Sequence, residues 1–133
     1  MQITLYCADC IGVKQNCSYP HKVEVKCTKD MKDAVEKDHV CARYENNRRS
    51  EQNFMESDVI AMDIDNEHSD DPEDWITEDK MKELFGSVDF VLVPSRHHML
   101  EKDGLAARPR FHVYFPVPTI KEAEDYKGFK SKL

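Results

Sequence analysis

Apolar and polar residues alternate most sharply in two stretches of the chain. In residues 58–65, Ile60, Met62 and Ile64 fall on one side of an extended backbone. Val59, Ala61, Asp63 and Asp65 fall on the other. In residues 110–117, Phe111, Val113 and Phe115 alternate with Arg110, His112 and Tyr114. Both patterns predict strands, and the apolar run at 88–93 predicts another between them. Residues 1–27 read as short β-like pieces, with a turn at Tyr19-Pro20 and alternating Val23, Val25 and Cys27. Residues 39–42 read as a further short strand. Helical spacing appears at 28–37, where Thr28 is a candidate cap and Met31, Ala34 and Val35 share a face. It recurs at 77–85, behind a Thr77 cap, with Met81, Leu84 and Phe85 apolar. Thr119-Ile120-Lys121-Glu122 has capping-box spacing and opens a terminal helix. Residues 43–50 form a polar, basic loop, and 94–109 a long polar connection. Strands and helices are interspersed without a repeat. The expected fold class is therefore α+β: a mixed or antiparallel sheet with flanking helices.

Length and composition narrow this further. The 133 residues, 40% hydrophobic and 34% charged, suit one domain with a real core. Within it, 1–55 reads as a small N-terminal α/β unit and 56–133 as the core that carries the chemistry. Apolar runs stop at about four residues, as in 90–93, against the roughly 18 a membrane span needs. The start lacks a basic region followed by an apolar stretch, so no secretory signal is read. The expectation is a cytoplasmic protein with no membrane partner. A net charge of −7 argues against indiscriminate binding to DNA or anionic lipid and leaves room for a local basic groove. Five cysteines, an odd number without an export signal, point to reduced thiols. Cys7, Cys10, Cys17 and His21 have the ligand types of a structural Zn²⁺ site, but only one close pair is present, so partly buried thiols are the stronger expectation.

Charge is uneven along the chain. Residues 56–79 hold eleven acids and no Lys or Arg. The flanking stretches 43–49 and 96–112 are basic or His-rich. Carboxylates hold a divalent cation, and Arg, Lys and His hold the anion it shares, so this layout suits a metal-plus-phosphate site. Asp63 and Asp65 are the sharpest pair. Two residues along a strand span roughly 6.6 Å with both side chains on one face, close enough to share Mg²⁺ or Mn²⁺. An EF-hand fits only loosely: His68 stands where the turn glycine is needed, Asp74 replaces the bidentate Glu, and a strand leads in. Asp70, Asp71, Glu73 and Asp74 then read as a solvated loop. Arg110 and His112 share a strand face beside Arg108, and Ser95 ends the preceding strand, which makes these four candidate phosphate contacts. Arg96, His97 and His98 are exposed candidates.

Taken together, these elements resemble the archaeo-eukaryotic primase superfamily. Met62-Asp63-Ile64-Asp65 is similar to its metal-binding Asp-hydrophobic-Asp motif. Ser95-Arg96 followed by Arg110-Phe111-His112-Val113-Tyr114-Phe115-Pro116 resembles its nucleotide-binding motif. Closer still, Asp63-Ile64-Asp65-Asn66-x-His68-Ser69-x-x-Pro72-x-x-Trp75 and Ala107-Arg108-Pro109-Arg110-Phe111-His112 look like primase domains of phage and mobile-element replication proteins. Asp38-His39-Val40 and Arg49-Ser50 fit the same group.

The resemblance implies an RRM-like catalytic core and two-metal nucleotidyl transfer. Asp63 and Asp65 would be catalytic metal ligands. Ser95, Arg96, Arg108, Arg110 and His112 would bind a nucleoside triphosphate, and Arg43, Arg48 and Arg49 a DNA template. A helicase or other replication partner would be encoded downstream. The family's third carboxylate has no counterpart: after His112 the only acids are Glu122, Glu124 and Asp125, in the predicted terminal helix. The chain thus reads as the front of a longer protein, expected to be inactive or weakly active by itself. Two other expectations stand beside this one. The first is a non-catalytic nucleotide- or nucleic-acid-binding fragment. The second is a rolling-circle-type nuclease, weakened because His97-His98 lacks the spacer such sites need.

Overall fold

The computed structural model describes residues 2–131. It is mixed α+β, with two antiparallel sheets and three α-helices. Two compact units emerge: Met1–Ile60 with Pro116–Leu133, and Ala61–Phe115.

In the first unit, β1 (Ile3–Cys7) lies between β2 (His21–Val25) and β3 (His39–Val40), antiparallel to both. All five residues of β1 are buried. Its threonine, Thr4, is satisfied by Asp58, whose carboxylate accepts from the Thr4 amide and hydroxyl, both at 2.8 Å. Helix α1 (Thr28–Val35) buries Met31 and Ala34, as the spacing predicts. Thr28 is its first helical residue and not its cap: extended Cys27 takes that place, and the Asp30 carboxylate accepts from the Lys26 amide at 3.0 Å. Part of the expected loop at 43–50 is strand, because Arg43–Tyr44 (β4) pairs with the start of β5 (Phe54–Ile64).

The second sheet has the order β4-β5-β7-β6, with β6 at Val91–Pro94 and β7 at Phe111–Ile120. Strand β6 is shorter than the apolar run suggests. The Val88 amide bonds to the Phe85 carbonyl at 3.0 Å, so Val88 belongs to the turn that closes α2 (Glu78–Leu84). Thr77 caps α2 as expected, accepting from the Lys80 amide at 3.2 Å. Gly86 follows because a Cβ there would meet the Lys82 carbonyl oxygen at 2.9 Å. Strand β7 continues through Pro116 and Pro118; its pairing with β6 covers only Phe111 to Tyr114, so the proline nitrogens interrupt no bond of that ladder. The terminal helix α3 (Ala123–Ser131) therefore starts later than the capping-box spacing suggests.

The second unit's core is the predicted apolar face. Ile64, Met81, Phe111, Val113 and Phe115 are buried together, with Phe85 and Phe90 rings 5.2 and 6.2 Å from that of Phe115. Among the described residues, no helix is long and apolar enough to cross a membrane.

Two expectations follow. Met81 is 1% exposed and is the one buried residue of α2. Met81→Ala should cost about 2–5 kcal/mol in chemical denaturation, whereas Lys82→Ala on the outer face should stay within about 0.5 kcal/mol. In the first unit, burial pushes the Tyr126 phenol up to about 12, and its hydroxyl donates to the Val59 carbonyl at 3.2 Å. The folded state thus holds this proton more tightly than the unfolded chain. Its stabilisation is complete below the ordinary tyrosine value near 10 and is lost as pH rises from there through about 12. Absorbance titration of Tyr126→Phe against the parent should show the latest-ionising phenol missing.

Candidate functional site

Strands β5 and β7 are neighbours in the sheet, and this brings the two distant motifs together within the second unit. The result is a ladder of two pairs, each a carboxylate facing a nitrogen-bearing side chain. Asp63 Oδ1 lies 2.5 Å from His112 Nδ1, with side chains 67% and 41% exposed. One rung on, Asp65 Oδ1 lies 3.9 Å from Arg110 Nη1. The alternation that placed Asp63 with Asp65, and Arg110 with His112, is what aligns the rungs.

Arg110 differs from its neighbours in burial. It is 1% exposed, and Nη1 donates to Glu67 Oε1 at 2.8 Å. That bond draws the Glu67 carboxyl below the usual glutamate range. Arg110 Nε and Nη2 have no hydrogen-bond partner among the described residues. Buried donors of a guanidinium are costly to leave unpaired, which sets Arg110 apart from its neighbours. The Arg110 backbone is fixed on both sides: its carbonyl accepts from the Ser95 amide at 2.9 Å, and its amide donates to His98 Nδ1 at 3.1 Å. His98 also packs on Phe111, with centroids 5.1 Å apart. It is half-buried and structural, unlike the exposed candidate that its polar surroundings suggest. Ser95 lies just past β6, and Arg96 is exposed beside it.

Arg108 has a different environment. It is 1% exposed, and its donors face the protein's own acceptors. Nε donates to the Ala106 carbonyl at 3.1 Å, Nη1 to the Asn66 and Ser69 carbonyls at 2.9 and 3.1 Å, and Nη2 to Asp70 at 2.8 Å. Its guanidinium also lies 5.4 Å from the Trp75 ring centre.

Asn66 works with it. Buried and left-handed (φ 54°), Asn66 turns the chain directly after Asp65. Its amide donates to the Ile76 and Pro109 carbonyls at 2.9 and 2.8 Å, and its oxygen accepts from the Ile76 amide at 2.7 Å. The acidic loop is thus pinned from within, while Asp70, Asp71, Glu73 and Asp74 remain exposed to solvent as expected. Within it, Trp75 donates to the Ser69 carbonyl, Ser69 to Asp74, and His68 contacts the Asp74 carbonyl. The roles of Asn66, Glu67 and Trp75 escaped residue-by-residue reading; the available signal was an Asn at the end of a strongly alternating strand, where a turn needs φ > 0.

The remaining candidates lie in the first unit. Arg43 pairs with Glu56 at 3.1 Å; Arg48 and Arg49 are exposed on the next turn. Cys7, Cys10, Cys17 and His21 do not converge. The Cys7 thiol, pushed up by burial, donates to the Ala34 carbonyl, Cys17 to the Gln15 carbonyl, and His21 lies 2.5 Å from Asp9. Among the described residues, no group of three or more His, Cys, Asp or Glu is arranged to hold a metal ion.

Trp75 is the sole tryptophan and so reports on the pinned loop. Arg108→Leu leaves the buried Asn66 carbonyl without its donor and should cost about 1–3 kcal/mol. Trp75 emission should shift to the red well before global unfolding. An unchanged spectrum and unchanged stability would remove Arg108 from this role.

With this geometry in view, comparison adds no relative: no protein-family model, no curated protein and no solved structure matches the chain.

Proposed function

We propose that this chain is the metal- and nucleotide-binding part of a primase-polymerase-type nucleotidyltransferase from a phage or mobile-element replication protein. In this reading, β5, β7 and β6 form the face of an RRM-like catalytic core, acting on cytoplasmic nucleoside triphosphates and a DNA template beside a replication helicase. The observation that carries it is the ladder of Asp63–His112 and Asp65–Arg110, with two buried Arg110 donors unpaired beside the exposed carboxylates.

The donor set fits a Mg²⁺ or Mn²⁺ that keeps several waters and shares substrate phosphates, not an all-protein cage. Asp63 and Asp65 would hold it, and it would supply charge neutralisation and Lewis-acid polarisation at the transferring phosphoryl group. The other roles belong to the protein. The Arg110 guanidinium supplies positive charge to the anionic phosphate oxygens. Asp63 engages His112 at Nδ1, which leaves Nε2 to meet another phosphate oxygen. The Ser95 hydroxyl and exposed Arg96 complete the anion site. Arg108 is assigned to positioning: it holds the turn that aims Asp65 and Glu67. Arg43, Arg48 and Arg49 meet the template backbone. In the reaction, the primer 3′-oxygen bonds to the α-phosphorus, the bond to pyrophosphate breaks, and the hydroxyl proton passes to solvent.

A second reading is a module that binds nucleotide without turnover. The lack of a third converging metal ligand among the described residues favours it.

Thermal melting and template-directed incorporation of labelled nucleotide separate these outcomes. Millimolar Mn²⁺ should raise the melting temperature by linkage, with about 2.7 kcal/mol of added stability at a hundredfold excess over Kd. Asp63→Asn and Asp65→Asn should each abolish the rise. No shift in the parent protein would sink the metal site. A shift without incorporation would select the binding module, and incorporation lost in Asp63→Asn would establish the enzyme.

A further inference from the structure

The first unit contains a cavity of about 370 Å³, separate in its residues from the ladder above. This volume falls within the roughly 300–1,000 Å³ typical of ligand sites. Three aromatic rings contribute to its lining. Phe54 stands edge-on to Tyr44, with centroids 6.3 Å apart at 81°, and tilts against Tyr126 at 5.3 Å. Tyr126 is anchored by its bond to the Val59 carbonyl. Three cations, Arg49, Lys127 and Lys130, line the same cavity with one acid, Glu51, which pairs with Lys127. Arg49 and Lys130 form no ion pair among the described residues; Arg49 lies instead over the Tyr19 ring at 5.7 Å. A local net charge of +2 (three cations, one acid) in a chain of net charge −7 is a concentrated exception to its surroundings.

Arg49 is held in place by the backbone. Consecutive left-handed residues Asn46 and Asn47 (φ 56° and 57°) turn the chain before Arg48. The Tyr19 amide bonds to the Asn47 carbonyl at 2.9 Å, and the Arg49 amide to the Cys17 carbonyl at 2.7 Å. Exposed Arg48 extends the positive charge beyond the cavity. Three aromatic rings and three cations lining one cavity match a base and its phosphate. Sequence-tolerant strand binding rests on such stacking platforms with basic tracks.

We infer that this cavity takes one unpaired nucleotide of a single-stranded nucleic acid. Its base would lie among Tyr44, Phe54 and Tyr126, and its phosphates on Arg49 and Lys130. Choosing a strand as the ligand rests on the polymerase reading above, while the cavity's own residues are independent of it.

Fluorescence anisotropy of the full chain with a labelled oligo(dT) tests the assignment. Arg49→Glu/Lys130→Glu should weaken binding at least tenfold. It should also flatten the dependence of log K on log salt by about 1.4, the loss of two single-strand phosphate contacts. Phe54→Leu, which changes no charge, should weaken binding about fivefold or more, the lower end of what one stacked base contributes. Lys130 is exposed on α3, so Lys130→Glu alone provides a variant that folds; it should weaken binding severalfold. Parent-like binding by the charge variants would overturn the inference. Competition by free dTMP as effective as the oligonucleotide, per nucleotide, would overturn the strand in favour of a free-nucleotide site. Asp63→Asn should leave oligo(dT) binding intact. If Mn²⁺ gives no thermal shift yet binding still depends on Arg49 and Lys130, the metal reading fails and the cavity stands. The reverse pattern sinks the cavity alone.

Discussion

The second unit depends on how two segments some forty residues apart are locked together by Arg108 and Asn66. Arg108 is almost wholly buried, and burying a guanidinium is tolerable only where its donors are met. Here three backbone carbonyls and Asp70 meet them, with the Trp75 ring nearby. Asn66 satisfies Ile76 and Pro109 from the opposite direction. Asp70 is 85% exposed, so its charge is screened by solvent, and the carbonyl bonds carry most of the fixation. A lysine could not take this place, because the fork of fixed donors does the work.

That lock has consequences at the adjacent ladder. Asn66 turns the chain directly after Asp65, so the exit direction of β5 sets where Asp65 and Glu67 lie relative to Arg110. The two arginines, alike in burial and two residues apart, therefore divide the tasks. Arg108 spends its donors on the fold. Arg110 keeps two donors unspent beside a group of carboxylates. The acids around this buried cation, Asp65 and Glu67, tolerate its charge. This division is the strongest physical reason to look for chemistry at this face rather than along the acidic loop as a whole.

The first unit shows another way of handling polarity. Fully buried β1 takes its threonine's partner from Asp58, and three rings gather where β4, the start of β5 and α3 meet. The exposed cations around those rings contrast with the acidic character of the chain as a whole, and the loop that carries Arg49 is set by backbone bonds rather than by the arginine's own charge.

Much of this was legible in the sequence. The period of two in 58–65 and 110–117 identified both central strands and one buried face of each, but not that Val59, Arg110 and Tyr114 on the opposite faces are buried as well. Asp63 with Asp65, and Arg110 with His112, were paired by the same period. Met81 and Met31 followed from helical spacing. What required tertiary structure was adjacency and burial. Alternation cannot tell which strand lies beside which, so the meeting of Asp63 with His112 needed the β5–β7 neighbourhood. Nor could it separate Arg108 from Arg110, because a charged residue reads as exposed until a fold supplies carbonyls to meet it. The same limit hid β4, a two-residue strand whose partner makes it one, and the cavity at Tyr44, Phe54 and Tyr126, whose rings come from segments more than seventy residues apart. Local periodicity determined the two central strands and one buried face of each; the long-range satisfaction of buried polar groups decided how Asn66, Arg108 and Arg110 are placed.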